Sequence, residues 1–158
     1  MAVHVRAARL SDLEALVRST LGNAFESEGI QLDPARVRVA VAALLDDPHK
    51  GRVFVAEEAQ QVLGSLYVTF EWSDWHGAWY WWLQSVFVAP ERRGTGVYSA
   101  LYKSVHDAAA KAGDVRAIRL YVERHNEAAL RAYRGHGMKE CDYRVYEAVV
   151  RPILEPGG

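Results

Sequence analysis

An α/β fold of the α+β kind is what this sequence predicts: a mixed, mostly antiparallel sheet flanked by about four helices. Three observations carry that expectation. Two strand-like runs, residues 52–57 and 62–70, are separated only by a short turn near residues 59–61, as in an antiparallel hairpin. A long strand over residues 78–88 is followed by a helical period over 95–111 and a further strand over 118–122, an order that calls for a parallel crossover. The chain has 158 residues, 50% hydrophobic and 25% charged, which suits a single domain spanning 1–158 with a real core.

The elements follow in order. Residues 3–7 read as a short first strand. Ser11 can cap a helix over residues 12–21, with Glu14 three positions on as its capping-box partner. Residues 22–33 read as a loop. Asp33 followed by Pro34 opens a second helix, whose apolar face carries Val37, Val41, Leu44 and Leu45. Asp47 and Pro48 end it. After the hairpin, residues 71–77 read as a loop leading into the 78–88 strand. Gly113 stops the 95–111 helix. Asn126 caps a helix over 127–134, which Gly135, His136 and Gly137 terminate. Residues 138–150 have strand character, enough for two strands meeting near 141–143.

Composition narrows the function. A net charge of -1 argues against nucleic acid or an anionic membrane as partner. Single-stranded nucleic acid on the tryptophans would need a basic groove that this balance does not supply. Cys141 is the one cysteine, so neither an intrachain disulfide nor a cysteine metal site is expected, and the histidines lack metal-ligand spacing. No apolar run is long enough to span a bilayer and the start lacks a signal-peptide segment, so a cytoplasmic location is the expectation.

Two clusters carry chemistry. In the first, apolar Val86, Phe87 and Val88 lead through Pro90 to Arg92, Arg93, Gly94, Thr95 and Gly96, and then a helix starts. A strand feeding a glycine turn at a helix N-terminus is a phosphate cradle, because N–H groups there lack intrahelical partners and the helix dipole favours an anion. Arg92 and Arg93 place fixed positive charge beside it. A dinucleotide fold fits less well, since its third glycine would fall at Ser99. In the second cluster, Asn126 stands at the base of a helix face shared by Ala129 and Tyr133.

Taken together, Val86-Phe-Val-x-Pro-x-x-Arg93-Gly94-x-Gly96 followed by Asn126-x-x-Ala129-x-x-x-Tyr133-x-x-x-Gly137 resembles the GNAT superfamily of acyl-CoA-dependent N-acetyltransferases. The order of elements extends the resemblance over nearly the whole chain. It implies parallel central strands splayed at a CoA site. It implies that N–H groups of Arg93, Gly94, Thr95, Gly96, Val97 and Tyr98 bind the CoA pyrophosphate. The backbone around Phe87 and Val88 would pair with the pantetheine arm, Asn126 would hydrogen-bond the cosubstrate, and Tyr133 would reach the thioester sulfur as general acid. Three positions depart from the family pattern: Tyr98 where a small residue is usual, Met138 in place of a Phe, and Gln84 near where a strand Glu often serves as base.

The implied reaction moves the acetyl group of acetyl-CoA to a primary amine by direct attack in a ternary complex, without metal. The amine must first lose a proton from an ammonium of pKa about 10. A backbone N–H, that of Val88, would stabilise the developing oxyanion. Glu26, Glu28, Glu71 and Asp74 read as loop carboxylates available to act directly, through water or as charge partners. All five tryptophans lie between Trp72 and Trp82. In a strand, Trp79, Trp81 and Leu83 face one side and Tyr80, Trp82 and Gln84 the other. One set would wall an acceptor pocket with Glu71 and Asp74 at its mouth, and Trp72 and Trp75 as loop members. Aromatic faces beside carboxylates suit a small cationic amine. A non-catalytic CoA-binding sensor is the alternative reading. Exposed tryptophans leave the chain a monomer or a homodimer.

Overall fold

The computed structural model describes residues 3–150 and forms two compact units, Met1–Tyr121 and Val122–Gly158. In the first, β1 (His4–Ala7) is followed by α1 (Leu13–Glu28), α2 (Pro34–Asp46), β2 (Arg52–Glu58), β3 (Gln61–Ser73), β4 (Ala78–Val88), α3 (Val97–Ala112) and β5 (Val115–Leu120). The second holds α4 (Glu127–Gly135). The strands form one sheet in the order β1-β2-β3-β4-β5. Neighbours from β1 to β4 are antiparallel, and β4 and β5 are parallel.

Each face of the sheet buries a helix layer. On one, Leu16 and Val17 of α1 and Val37 and Val41 of α2 pack with Val53, Val55 and Tyr67. The Tyr67 hydroxyl lies 3.2 Å from Thr20 Oγ1, so the polar end of this buried ring is satisfied on α1. On the other face α3 comes close because β3 carries Gly64. A Cβ there would meet the Phe87 carbonyl oxygen at 2.8 Å and Val97 Cγ1 at 3.0 Å. Val97, Leu101 and Val105 are buried at this seam. The Gly64–Val97 approach thus fixes where α3 begins.

Local chemistry explains the element ends. The Asp33 carboxylate accepts the Ala35 N–H at 3.0 Å, and Pro34 occupies the first helical position of α2. The β2–β3 hairpin turns on Ala59 and Gln60 with φ of 49° and 66°, a left-handed pair of the kind a two-residue hairpin requires. At the sheet's far end the Arg6 guanidinium binds both Asp12 oxygens, at 2.7 and 3.0 Å, and Glu57 at 2.6 Å. This pairing holds the nearly buried Asp12 carboxyl below its usual range.

Four expectations are corrected. Residues 22–28 are not loop: α1 continues to Glu28 and stops at Gly29, whose φ of 70° forms the C-cap. Glu26 and Glu28 are therefore helical. Gly22 does not end the helix; a Cβ there would lie 3.3 Å from the Phe87 ring, so it admits that ring against α1. β3 runs on to Ser73, because Glu71 and Trp72 pair across the hairpin with Tyr80 and Trp79, so both are strand residues. Residues 138–150 form neither helix nor strand. Without strands beyond it, β5 closes the end of the described sheet.

Candidate active site

The site grows from the C-terminal half of β4. Leu66 pairs with Val86, but Val68 pairs with Leu83, so Tyr67 faces two residues, Gln84 and Ser85. This is a β-bulge, which bends the strand and reverses its side-chain alternation. Before the bulge, Tyr80, Trp82 and Gln84 share the α1 face with Tyr67. After it, Phe87 takes that face, and Val86 and Val88 turn to α3.

β4 also parts from β5 here. Their pairing runs from Trp79↔Val115 to Leu83↔Leu120 and goes no further. On the β3 side, the Ala89 N–H donates to the Leu63 carbonyl at 2.8 Å. Strand N–H groups alternate in direction, so those of Val86 and Val88 leave by the opposite edge, where β5 has ended. The candidate N–H of Val88 is thus directed off the free edge, and Val86 joins it. An extended ligand arm could add there as a strand does.

The loop beyond is shaped by two arginines that both engage carboxylates. Arg92 Nη1 donates to Glu58 Oε2 at 2.7 Å, tying the loop to the end of β2. Arg93 donates from Nε to the Val88 carbonyl at 3.1 Å and from Nη2 to Glu26 of α1. The pair therefore braces the loop, with its charge largely compensated. Thr95 Oγ1 donates to the Arg92 carbonyl at 2.7 Å. Gly94 and Gly96 have φ of 72° and 88°, and space around each is open. α3 then starts at Val97, a full helix of 16 residues whose N-terminus is aimed at this loop. Tyr98, the bulky departure, packs its ring 6.1 Å from that of Tyr102 along the helix. Residues 93–98 are thus brought together as a glycine-lined loop at a helix N-terminus, where N–H groups and the helix dipole favour an anion.

The aromatic residues divide by face. Trp72, Trp79, Phe70 and Trp81 form a ladder on the α3 side, with ring separations of 5.0, 6.5 and 5.4 Å. Trp72 is thereby on the face opposite Glu71 and Gln84, so it does not share a pocket with them. On the α1 side, Gln84 Nε2 donates to Thr69 Oγ1 at 2.8 Å, and Trp82 Nε1 donates to Glu71 Oε2 at 2.6 Å. Trp82 stacks on Tyr121 at 4.5 Å. Arg119 lies 3.4 Å from the Tyr80 ring centre, and its Nη1 is 3.5 Å from Glu71 Oε1. Glu71 is accordingly not an open carboxylate. Asp74 and Trp75 occupy the exposed β3–β4 turn, and Glu28 the exposed end of α1; neither acid forms an ion pair among the described residues. The sequence reading missed Arg119 and Tyr121. Their period-two spacing was the available signal, but the parallel register that puts Arg119 beside Trp82 was not legible.

In the second unit, Asn126 caps α4, its side chain accepting the Ala129 N–H at 3.1 Å. Burial pushes the Tyr133 phenol above its ordinary value, so it remains protonated at neutral pH.

A family model described as the Acetyltransferase (GNAT) family matches residues 14–138. The chain belongs to this family. A solved structure of a possible acetyltransferase from Clostridium difficile 630 is 34% identical, with a TM-score of 0.90 and coverage of 96% of this GNAT chain and 100% of that one. A ribosomal-protein-alanine N-acetyltransferase from Brucella melitensis biovar Abortus 2308 shares the fold at 18% identity, TM-score 0.73, covering 95% and 99%. So does an aminoglycoside acetyltransferase from an uncultured soil metagenomic sample in complex with sisomicin, at 15% identity, TM-score 0.73, covering 93% and 96%. No match is found among curated proteins. Among the described residues of this GNAT protein, no helix is long and apolar enough to cross a membrane.

Proposed function

We propose that the protein is an N-acetyltransferase that moves the acetyl group of acetyl-CoA to the primary amine of a small acceptor, by direct attack in a ternary complex. The observation that carries this reading is the coincidence of a β4 edge released by β5 after Leu83 with a glycine loop feeding α3. Val86 would hold the pantetheine arm by its outward N–H and carbonyl, whereas the Phe87 backbone turns to Ser65 of β3 and is not open to the arm. Arg93, Gly94, Thr95, Gly96, Val97 and Tyr98 would hold the pyrophosphate through N–H groups, and Asn126 would add a hydrogen bond. When bound, acetyl-CoA supplies an activated acyl thioester.

The chain's own groups then have separate tasks. The outward N–H of Val88 places a dipole where negative charge develops on a carbonyl oxygen. Tyr133 holds a proton on its phenol oxygen for the departing sulfur. Gln84 accepts no proton, so the acceptor's ammonium releases its own to solvent water. Orientation of acceptor and acyl donor supplies most of the remaining acceleration. The acceptor reaches the reaction in cationic form along the exposed rim of the Trp82–Tyr121 stack.

The test is thiol release from acetyl-CoA across a panel of primary amines. Amine-dependent release is the expected result. Saturable acetyl-CoA binding with no release for any amine would replace this reading by a non-catalytic CoA sensor.

A further inference from the structure

The α1 face of β4 carries a continuous strip whose far end is charged. It begins at Gln84 in the bulge, passes over the Trp82–Tyr121 stack and ends at Glu71 and Arg119. All these residues belong to the first compact unit. The strip is open: the side chain of Glu71 is 46% exposed and that of Arg119 25%, and Tyr121 is 58% exposed.

The two charges at its end are not equivalent. One Glu71 oxygen already takes the Trp82 indole N–H at 2.6 Å, and the other is 3.5 Å from Arg119. Glu71 therefore has both oxygens engaged, one by the indole N–H and one by the guanidinium, whereas Arg119 gives Glu71 only its Nη1. The Arg119 guanidinium carbon lies 3.4 Å over the Tyr80 ring centre, and apart from the 3.5 Å ion pair to Glu71 none of its five N–H donors makes a hydrogen bond among the described residues. A planar fork seated on a ring, with the donors other than Nη1 unfilled, matches a carboxylate.

Spacing sets the size of the ligand. Trp82 is four residues from Val86 with one absorbed by the bulge, so the two lie about 10 Å apart along the strand. The Arg119 guanidinium, over Tyr80, lies several ångströms further on. We infer that Arg119 is a specificity residue for an elongated acceptor, one that carries a carboxylate on the order of 10–15 Å from its reacting amine. A peptide of three or four residues with a free C-terminus has that reach. This inference rests on the proposed acetyl transfer for the position of the amine.

The experiment compares oligoalanines of one to four residues with their C-terminal amides. Binding is read by the summed fluorescence of the five tryptophans, Trp82 among them, to which alanine adds nothing, and kcat/KM by thiol release from acetyl-CoA. The expected result is a preference for acid over amide of at least tenfold that appears at three or four residues. Arg119→Gln should reduce that ratio towards one, and Arg119→Lys should restore it in part. Acid and amide binding alike at every length would overturn the inference, as would a ratio unchanged in Arg119→Gln or no fluorescence response to any oligoalanine. If the tripeptide acid binds through Arg119 but releases no thiol, the acetyl-transfer reading fails while the anchor stands. If amines release thiol without regard to the carboxylate, the reverse holds.

Discussion

Arg93 donates from Nε to the carbonyl oxygen of Val88 at 3.1 Å, closing the end of β4 against the loop that follows it. The contact places the outward backbone of Val88 and the glycine cradle in one rigid piece, and Glu26 anchors the other end of the guanidinium on α1. Arg93→Ala should therefore weaken acetyl-CoA binding by about tenfold, the equivalent of one charge-assisted hydrogen bond. Isothermal titration checks it. Lysine should restore little, since one ammonium does not reproduce both contacts.

Gly64 and Gly96 should respond differently to alanine. At Gly64 a methyl would strike the Phe87 carbonyl oxygen at 2.8 Å, so backbone must move and α3 must shift. A loss of about 2 kcal/mol in denaturant unfolding is expected, with weaker acetyl-CoA binding. At Gly96 there is room, but φ is 88°, so the cost is conformational strain of about 1 kcal/mol.

The hairpin turn offers a stabilising change. Ala59 and Gln60 hold left-handed φ values that neither favours. Replacing the pair by Asn-Gly should raise stability by about 1–2 kcal/mol without altering activity, as read by thermal unfolding and thiol release.

Arg6 and Asp12 make stability depend on acid. The folded carboxyl of Asp12 titrates below its ordinary value of about 4, so its contribution is complete above that pH and is lost as pH falls through the depressed folded value. Tm should be level from pH 7 to about 5 and fall below about 4. Arg6→Ala leaves Asp12 nearly buried without its cation, and should cost about 3 kcal/mol at pH 7 while flattening the acid limb.

Tyr133→Phe should lower kcat by about a hundredfold and leave acetyl-CoA affinity nearly unchanged. The raised phenol pKa keeps the proton in place through neutrality, so activity tied to it should decline only above pH 10. Equal loss of turnover and affinity would remove Tyr133 from the acid role.

The order of strand, glycine turn and helix start was legible because its signal is local and consecutive in the chain, and glycine at 94 and 96 permits the positive φ values found there. The Trp79/Trp81 and Tyr80/Trp82 division was legible from strand alternation alone. What failed was decided at a distance. Residues 22–28 read as loop, but Gly22 packs against the Phe87 ring within the helix and Gly29 supplies the cap. Trp72 looked like a loop aromatic until its pairing with Trp79 put it on the α3 side. Arg119 meets Glu71 only through the β4–β5 register, which no local pattern encodes.

The central claim is that the β4 edge and the glycine loop together hold acetyl-CoA. Backbone amide NMR during an acetyl-CoA titration tests it most directly. The account predicts saturable shifts concentrated at Val86, Val88, Gly94, Thr95, Gly96 and Val97. Saturable binding that leaves those amides unmoved, with shifts elsewhere, would contradict it.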